Sequence, residues 1–439
     1  MSRLLLGIAG LVVLLAATAT SLCREPPVER ELMSEETYEI LRNAVIEATE
    51  VKEYDPAEAS DTMEMVRKEQ PERFKRILKR HREEYAKLRK ENLEALERLA
   101  KQSWPKVSKL EWVHVFTMGA EEGDYFPAWR ISDDNKTVKL LDLSFSERTV
   151  QRGEIRKIVE ASFKADLSEF IEAVQEPEGD RLLRRPRPPY HFGVTALRGA
   201  VAAAQHGLEE EAAALVAAVL SSGWSMNQGL AGPYNEMVWE VLRPAMLQFQ
   251  KGGSRDEFLA TCKKLVADFP GSEYDAMLKS WIEPMEREAK APPDFLKKKP
   301  EERTDDEQVR NAVYQLRDVA GKQPMQPGRP MVFTWAGKGL PQVERVLTFG
   351  PAAIPHLIAA LDDDTPTRTL GFWRDYHPSG YYLLRRSDVA IQCIEKIAKR
   401  DFYDSEYVSG RLSVEEPERR AEVIAEVKKW WEQDKDEPK

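Results

Sequence analysis

The densest gathering of recognition chemistry in the chain lies in residues 365–384, which carry Phe372, Trp373, Arg374, Tyr376, His377, Tyr381 and Tyr382. Aromatic rings beside an arginine are common anchors of binding surfaces, because they cover large rigid areas and keep a polar handle. Asp375 and His377 are an acid and a base by type. Their i, i+2 spacing in a loop fixes no geometry between them, so the segment points to binding and not to proton transfer. Two readings of the rings stay open: they meet a partner, or they fold back and cap the helices around them.

The other places where chemistry could reside are weaker. Ser103-Trp104-Pro105-Lys106 has the S-x-x-K spacing of some serine acyl enzymes, but its proline disrupts the first helical turn that motif occupies. Asp362, Asp363 and Asp364 suggest calcium, yet the EF-hand glycine is missing and Trp373 stands where the distal glutamate belongs. His114 reads as a core histidine on the apolar face of a strand, with no second ligand at metal spacing beside it. The run RLLRRPR at 181–187 sits among prolines and reads as a linker, with an anionic ligand the alternative. No G-x-S-x-G, HExxH, P-loop or dinucleotide fingerprint is present, so no catalytic residue, metal or cofactor is assigned. Cys262 and Cys393 lie far apart in helical patterns and read as packing residues.

Composition narrows the partners. The net charge of −10, with basic and acidic residues interspersed, argues against a nucleic-acid surface. Arg3 followed by the apolar run 4–19 has the pattern of a signal peptide, with Ala17-Thr18-Ala19 as its cleavage site, and the run is short for a membrane span. The mature chain is therefore expected outside the cytoplasm, without an integral membrane segment. Cys23 offers a rival, lipoprotein reading, although Leu22 stands where that processing wants a small side chain.

These groups need elements to hold them, and the periodicity supplies mostly helices. Residues 61–102 predict one long charged helix, whose Phe74, Leu78, His81, Tyr85, Leu88, Asn92, Ala95 and Leu99 have coiled-coil spacing; packing within its own domain is preferred over an intermolecular coil. Strands are expected from Leu110 to Met118, at 128–131 and at 137–143, the last two joined by the turn Asp133-Asp134-Asn135-Lys136. From Gly153 the chain is expected to return to helices, first over 155–174 and then as hairpins at 195–220 and 237–269.

The small residues Ala196, Ala200, Ala203 and Ala212 give the first hairpin a loose resemblance to a tetratricopeptide unit. FGPAAIPHLIAALDDD and SDVAIQCIEKIA, with Pro355, an acidic turn and Arg385 and Arg386 before the second helix, resemble a HEAT repeat. Together with AVYQLRD and YYLLRRSDVAIQCIEKIAKRDF, these strings resemble a family of bacterial exported proteins that pair helical repeats with a HEAT unit, a family without an established activity. The expected fold is mainly α, an irregular helical repeat, tetratricopeptide-like and then HEAT-like, with a small antiparallel β-sheet in the N-terminal half. The expected organisation is a signal peptide at 1–22, a helical segment with the sheet at 23–152, a hairpin repeat domain at 153–290, a linker at 291–306, and a HEAT-like domain with a closing helix at 307–439. The function this supports is a non-enzymatic binding or scaffold protein of the bacterial envelope, with a protein, peptide or glycan as partner. The alternative is an envelope hydrolase whose site is assembled from distant residues such as His191, His206 and the aromatic segment. Oligomeric state is not legible.

Overall fold

The computed structural model describes residues 28–49, 61–119, 125–175, 192–221, 229–323, 330–333, 339–372, 381–403 and 411–434. The expected signal peptide, Cys23 and the arginine run at 181–187 lie outside them. The described chain is mainly helical with small antiparallel sheets. It divides into two compact units, residues 1–229 and 230–439.

In the first unit, β1 (Arg30–Leu32) pairs with β2 (Ser103–Pro105), so the S-x-x-K stretch is strand and not helix. Helix α1 (Glu35–Ala48) starts where the Ser34 hydroxyl accepts from the Thr37 amide at 3.2 Å, an N-cap reinforced by Glu35 and Glu36 in the first turn. The single helix expected over 61–102 is two, α2 (Asp61–Glu69) and α3 (Pro71–Ala100), because Pro71 has no amide hydrogen and so favours a fresh first turn. Asn92, Ala95, Leu96 and Leu99 of α3 are buried inside this unit. A Cβ on Gly229, whose φ is +53°, would collide with the Asn92 carboxamide, so only glycine fits there.

A five-stranded sheet follows, with β3 (Glu111–Thr117), β4 (Phe126–Asp133), β5 (Thr137–Leu141), β6 (Glu147–Gln151) and β7 (Ile155–Glu160) in the order β6-β5-β4-β3-β7. The turn between β4 and β5 is the expected one, with Asp134 Oδ1 accepting from the Lys136 and Thr137 amides, bonds that hold its pKa below the usual carboxylate range. The helix expected from residue 155 is corrected. Ile155, Ile158 and Val159 favour a strand, β7 completes the ladder along β3, and helix α4 (Phe163–Gln175) begins only afterwards. β6 and β7 occupy opposite edges yet are joined only by a 3₁₀ turn, Arg152–Glu154. In a flat sheet those edges would lie about 19 Å apart, beyond the reach of about 14 Å for four extended residues, so the sheet must roll. Its concave face holds Val113, Val115, Ala128, Val138 and Leu140, a core made by strands alone. Its other face carries Trp112 and Trp129, which meet Phe163 of α4 at 5.1 Å.

The hairpin α5 (Phe192–Gln205) and α6 (Glu209–Ser221) turns at Gly207, with φ +70°. Ala196, Ala200, Ala203 and Ala212 are fully buried, as their small size led us to expect. This hairpin packs on α1 and α4 within the first unit.

The second unit has two cores. Helices α7 (Ala231–Gln250), α8 (Arg255–Asp268) and α9 (Asp275–Lys290) enclose one, around Trp239, Phe249, Phe258 and Trp281. Helices α10 (Asp305–Tyr314), α11 (Pro341–Leu347), α12 (Ile354–Ala359), α13 (Arg386–Ala398) and α14 (Pro417–Asp434) enclose the other, around Ile354, Leu357, Val389, Cys393, Val427 and Trp430. The acidic turn is held by arginines: Asp363 pairs with Arg386, and Asp364 with Arg420 at 2.8 Å. Cys262 and Cys393 are buried, and burial pushes both thiols up to about 12.

A buried ion network ties this unit together. Glu288 of α9 sits 2.9 Å from Arg317, 3.5 Å from Arg386 and 4.0 Å from Arg255, while Asp318 holds Arg368 at 3.0 Å. Burial pulls Arg255 down to about 10 in spite of Glu288 and Asp318.

Candidate functional site

The aromatic segment between α12 and α13 is a hairpin, β8 (Pro366–Phe372) and β9 (Tyr381–Arg385), where the sequence suggested a loop. Thr367, Thr369 and the run Tyr381, Tyr382, Leu383, Leu384 are buried, so both faces of the ribbon are covered. The alternation of a strand then sends neighbouring residues into different cores. Leu370, Tyr381 and Leu383 join the core of α7, α8 and α9, whereas Tyr382 and Leu384 join that of α10 to α14.

Tyr381 lies 4.7 Å from Trp239 in an edge contact and stacks on Phe372 at 5.1 Å. The Phe372 backbone is clamped by Gln323, whose Oε1 accepts from its amide at 2.8 Å and whose Nε2 donates to its carbonyl at 2.6 Å. Gly371 faces Tyr382 so closely that an added Cβ would stand 2.5 Å from the ring. Of the seven residues expected to bind, Phe372 is partly buried and Tyr381 and Tyr382 are buried, all three packed into cores. Trp373, Arg374, Tyr376 and His377, with Asp375, lie outside the described residues.

Tyr382 also lines a cleft of about 40 Å³ with Pro330, Asp388, Gln392, Tyr403 and Arg411. That is room for about three waters or one small polar group. The Arg411 guanidinium is centred 3.7 Å over the Tyr382 ring. Burial pulls its pKa below the usual arginine value, although Asp388, Tyr382 and Tyr403 oppose this. Its Nε is buried with no hydrogen-bond partner among the described residues. Asp388 is committed elsewhere: it accepts from the Arg385 amide at 2.8 Å and from the Ser413 amide and hydroxyl, both at 2.9 Å. Burial nevertheless raises its pKa. Glu395 likewise accepts from the Phe402 and Tyr403 amides at 3.0 and 2.9 Å.

A second constellation lies in the first unit. Asp166 Oδ2 accepts from Trp112 Nε1 at 2.6 Å and stands 2.6 Å from His114 Nε2. The expectation that His114 is a core histidine is corrected, because β3 turns it away from the rolled core and toward Asp166 of α4. The His114 ring stacks on Tyr125 at 3.9 Å, and Tyr125 is 42% exposed. The carboxylate orients the imidazole, as a second group does in acid–base sites. The signal for Asp166 was present in the sequence, as the one acid on the helical stripe of Phe163, Leu167 and Phe170. Of the residues offered for a distant assembly, His206 is packed 5.0 Å from Phe163 in this same unit, and His191 lies outside the described residues.

Among the described residues no group of three potential ligands stands close enough to hold a metal ion, and no helix is long and apolar enough to cross a membrane. Comparison of the chain with protein-family models, with curated proteins and with solved structures gives no match.

Proposed function

We propose that this chain is an exported, non-enzymatic binding or scaffold protein of the bacterial envelope, in which irregular helical-repeat layers carry a recognition segment for a protein or peptide, with a glycan as the remaining class. The resemblance of its C-terminal half to exported HEAT-containing proteins supports the compartment. The observation that carries the reading is the hairpin β8–β9: its base is locked into two cores by Phe372, Tyr381 and Tyr382. A segment rich in tryptophan, tyrosine and arginine thus springs from a rigid foundation, which lowers the ordering cost of binding. Crosslinking capture from intact envelopes names the partner. Trp373→Ala and Tyr376→Ala are expected to weaken its capture by about 2 kcal/mol each while leaving thermal stability nearly unchanged. Early melting with undiminished capture would assign the rings to capping.

The alternative, an envelope hydrolase, draws its support from the His114–Asp166 pair. His114→Ala would then abolish turnover of ester or amide substrates without loss of fold, whereas the binding reading expects no such turnover in the native protein.

A further inference from the structure

We infer that the cleft beside β9 is a carboxylate-binding site, with Arg411 as the group that recognises the anion. The inference rests on the reading of the β8–β9 region as a recognition surface and assigns the chemistry it would take. A guanidinium removed from water needs acceptors for its planar donors, and a mostly buried one whose Nε has no partner among the described residues calls for an external acceptor. Stacking at 3.7 Å on Tyr382 fixes the plane of the fork, which is the preorganisation that bidentate carboxylate recognition uses.

Asp388 acts on Arg411 through space, but no charged group of the lining is hydrogen-bonded to it among the described residues. Asp388 is directed to the Arg385 amide and Ser413, and Glu395 to two backbone amides, while the Tyr403 hydroxyl donates to Glu415. Their negative charge also decides the class of anion. Asp388 and Glu395 repel any anion, and a singly charged, planar carboxylate meets less of that repulsion than a doubly charged, tetrahedral phosphate in a cleft of about 40 Å³. Gln392, the Tyr382 hydroxyl and Tyr403 complete a polar rim. Two sources share this chemistry, a small free carboxylate and the terminal carboxylate of a peptide.

The test uses the full-length protein. Thermal denaturation is followed while sodium acetate is titrated against sodium chloride at equal ionic strength and pH. The site predicts a saturable rise in melting temperature with acetate alone, with an apparent Kd weakened about tenfold or more in Arg411→Lys, which keeps the charge but loses the fork. Gln392→Ala, which leaves Arg411 in place, is expected to weaken acetate measurably should Arg411→Lys fold poorly. A short peptide that binds as the free acid and not as the amide identifies a chain terminus as the source; acetate binding without any peptide binding identifies a small carboxylate. Equal effects of acetate and chloride, or acetate binding indifferent to both substitutions, overturn the inference. Because partner capture through Trp373 and Tyr376 is measured separately, loss of acetate binding with capture retained refutes the cleft and leaves the wider reading standing.

Discussion

Glu288 faces three arginines, Arg255, Arg317 and Arg386, and it is nearly inaccessible to water. Its removal would leave buried cations without their counter-ion, a situation far costlier than the ion network is stabilising when intact. Glu288→Ala is expected to destabilise the protein by about 3–5 kcal/mol, read from urea denaturation. A second residue, His206, makes a prediction about pH. Burial holds its pKa below the usual histidine value of 6.5, so the folded state keeps it neutral where the unfolded chain protonates it. In that window the unfolded state binds more protons, and stability rises with pH. The contribution of His206 is therefore full above about pH 6.5 and is lost as pH falls below it. His206→Leu should flatten the fall in melting temperature between neutral and mildly acid pH; an unchanged slope would contradict the assignment. Glu288 was not legible as special in the sequence, and His206 stood out only as a candidate for a distant assembly, not as a buried residue. Glu288 is one acid in a charged stretch, and the arginines that meet it come from residues 255, 317 and 386. Asp388 and Arg411, too, acquire their roles from a neighbour that only the fold supplies.

At the scale of elements, the sequence was most reliable where a period or a cap was strong. The Asp134 turn and the alanine stripes of α5 and α6 sit as read, because each is a local signal. It was least reliable for β7, β8 and β9. Ile155-Arg156-Lys157-Ile158 has apolar residues three apart and so imitates a helix, while Tyr381-Tyr382-Leu383-Leu384 has no alternation because both faces are covered. The polar Asn92, which breaks the coiled-coil spacing, is explained by the glycine that approaches it. Gly229→Ala is expected to cost about 1–3 kcal/mol, combining a left-handed backbone with a clash, and Asn92→Ala should relieve part of that cost in a double-mutant cycle. In the hairpin, Tyr381→Ala removes a ring held between Trp239 and Phe372 and should cost about 3–5 kcal/mol in equilibrium unfolding.

For the whole molecule, the division falls at Gly229, within the stretch that composition marked as one hairpin domain. The proline-rich, charged residues 291–306 carry contacts of their own: Phe295 is buried there against Tyr314 at 5.9 Å, and Arg303 donates to its carbonyl at 3.0 Å. Prolines and charges report that a segment is irregular and wet, which is different from lacking contacts. The two-faced hairpin has a last consequence, for how this protein can change over generations. A register slip in β9 would exchange the contents of two cores at once, so the ribbon is doubly protected against drift.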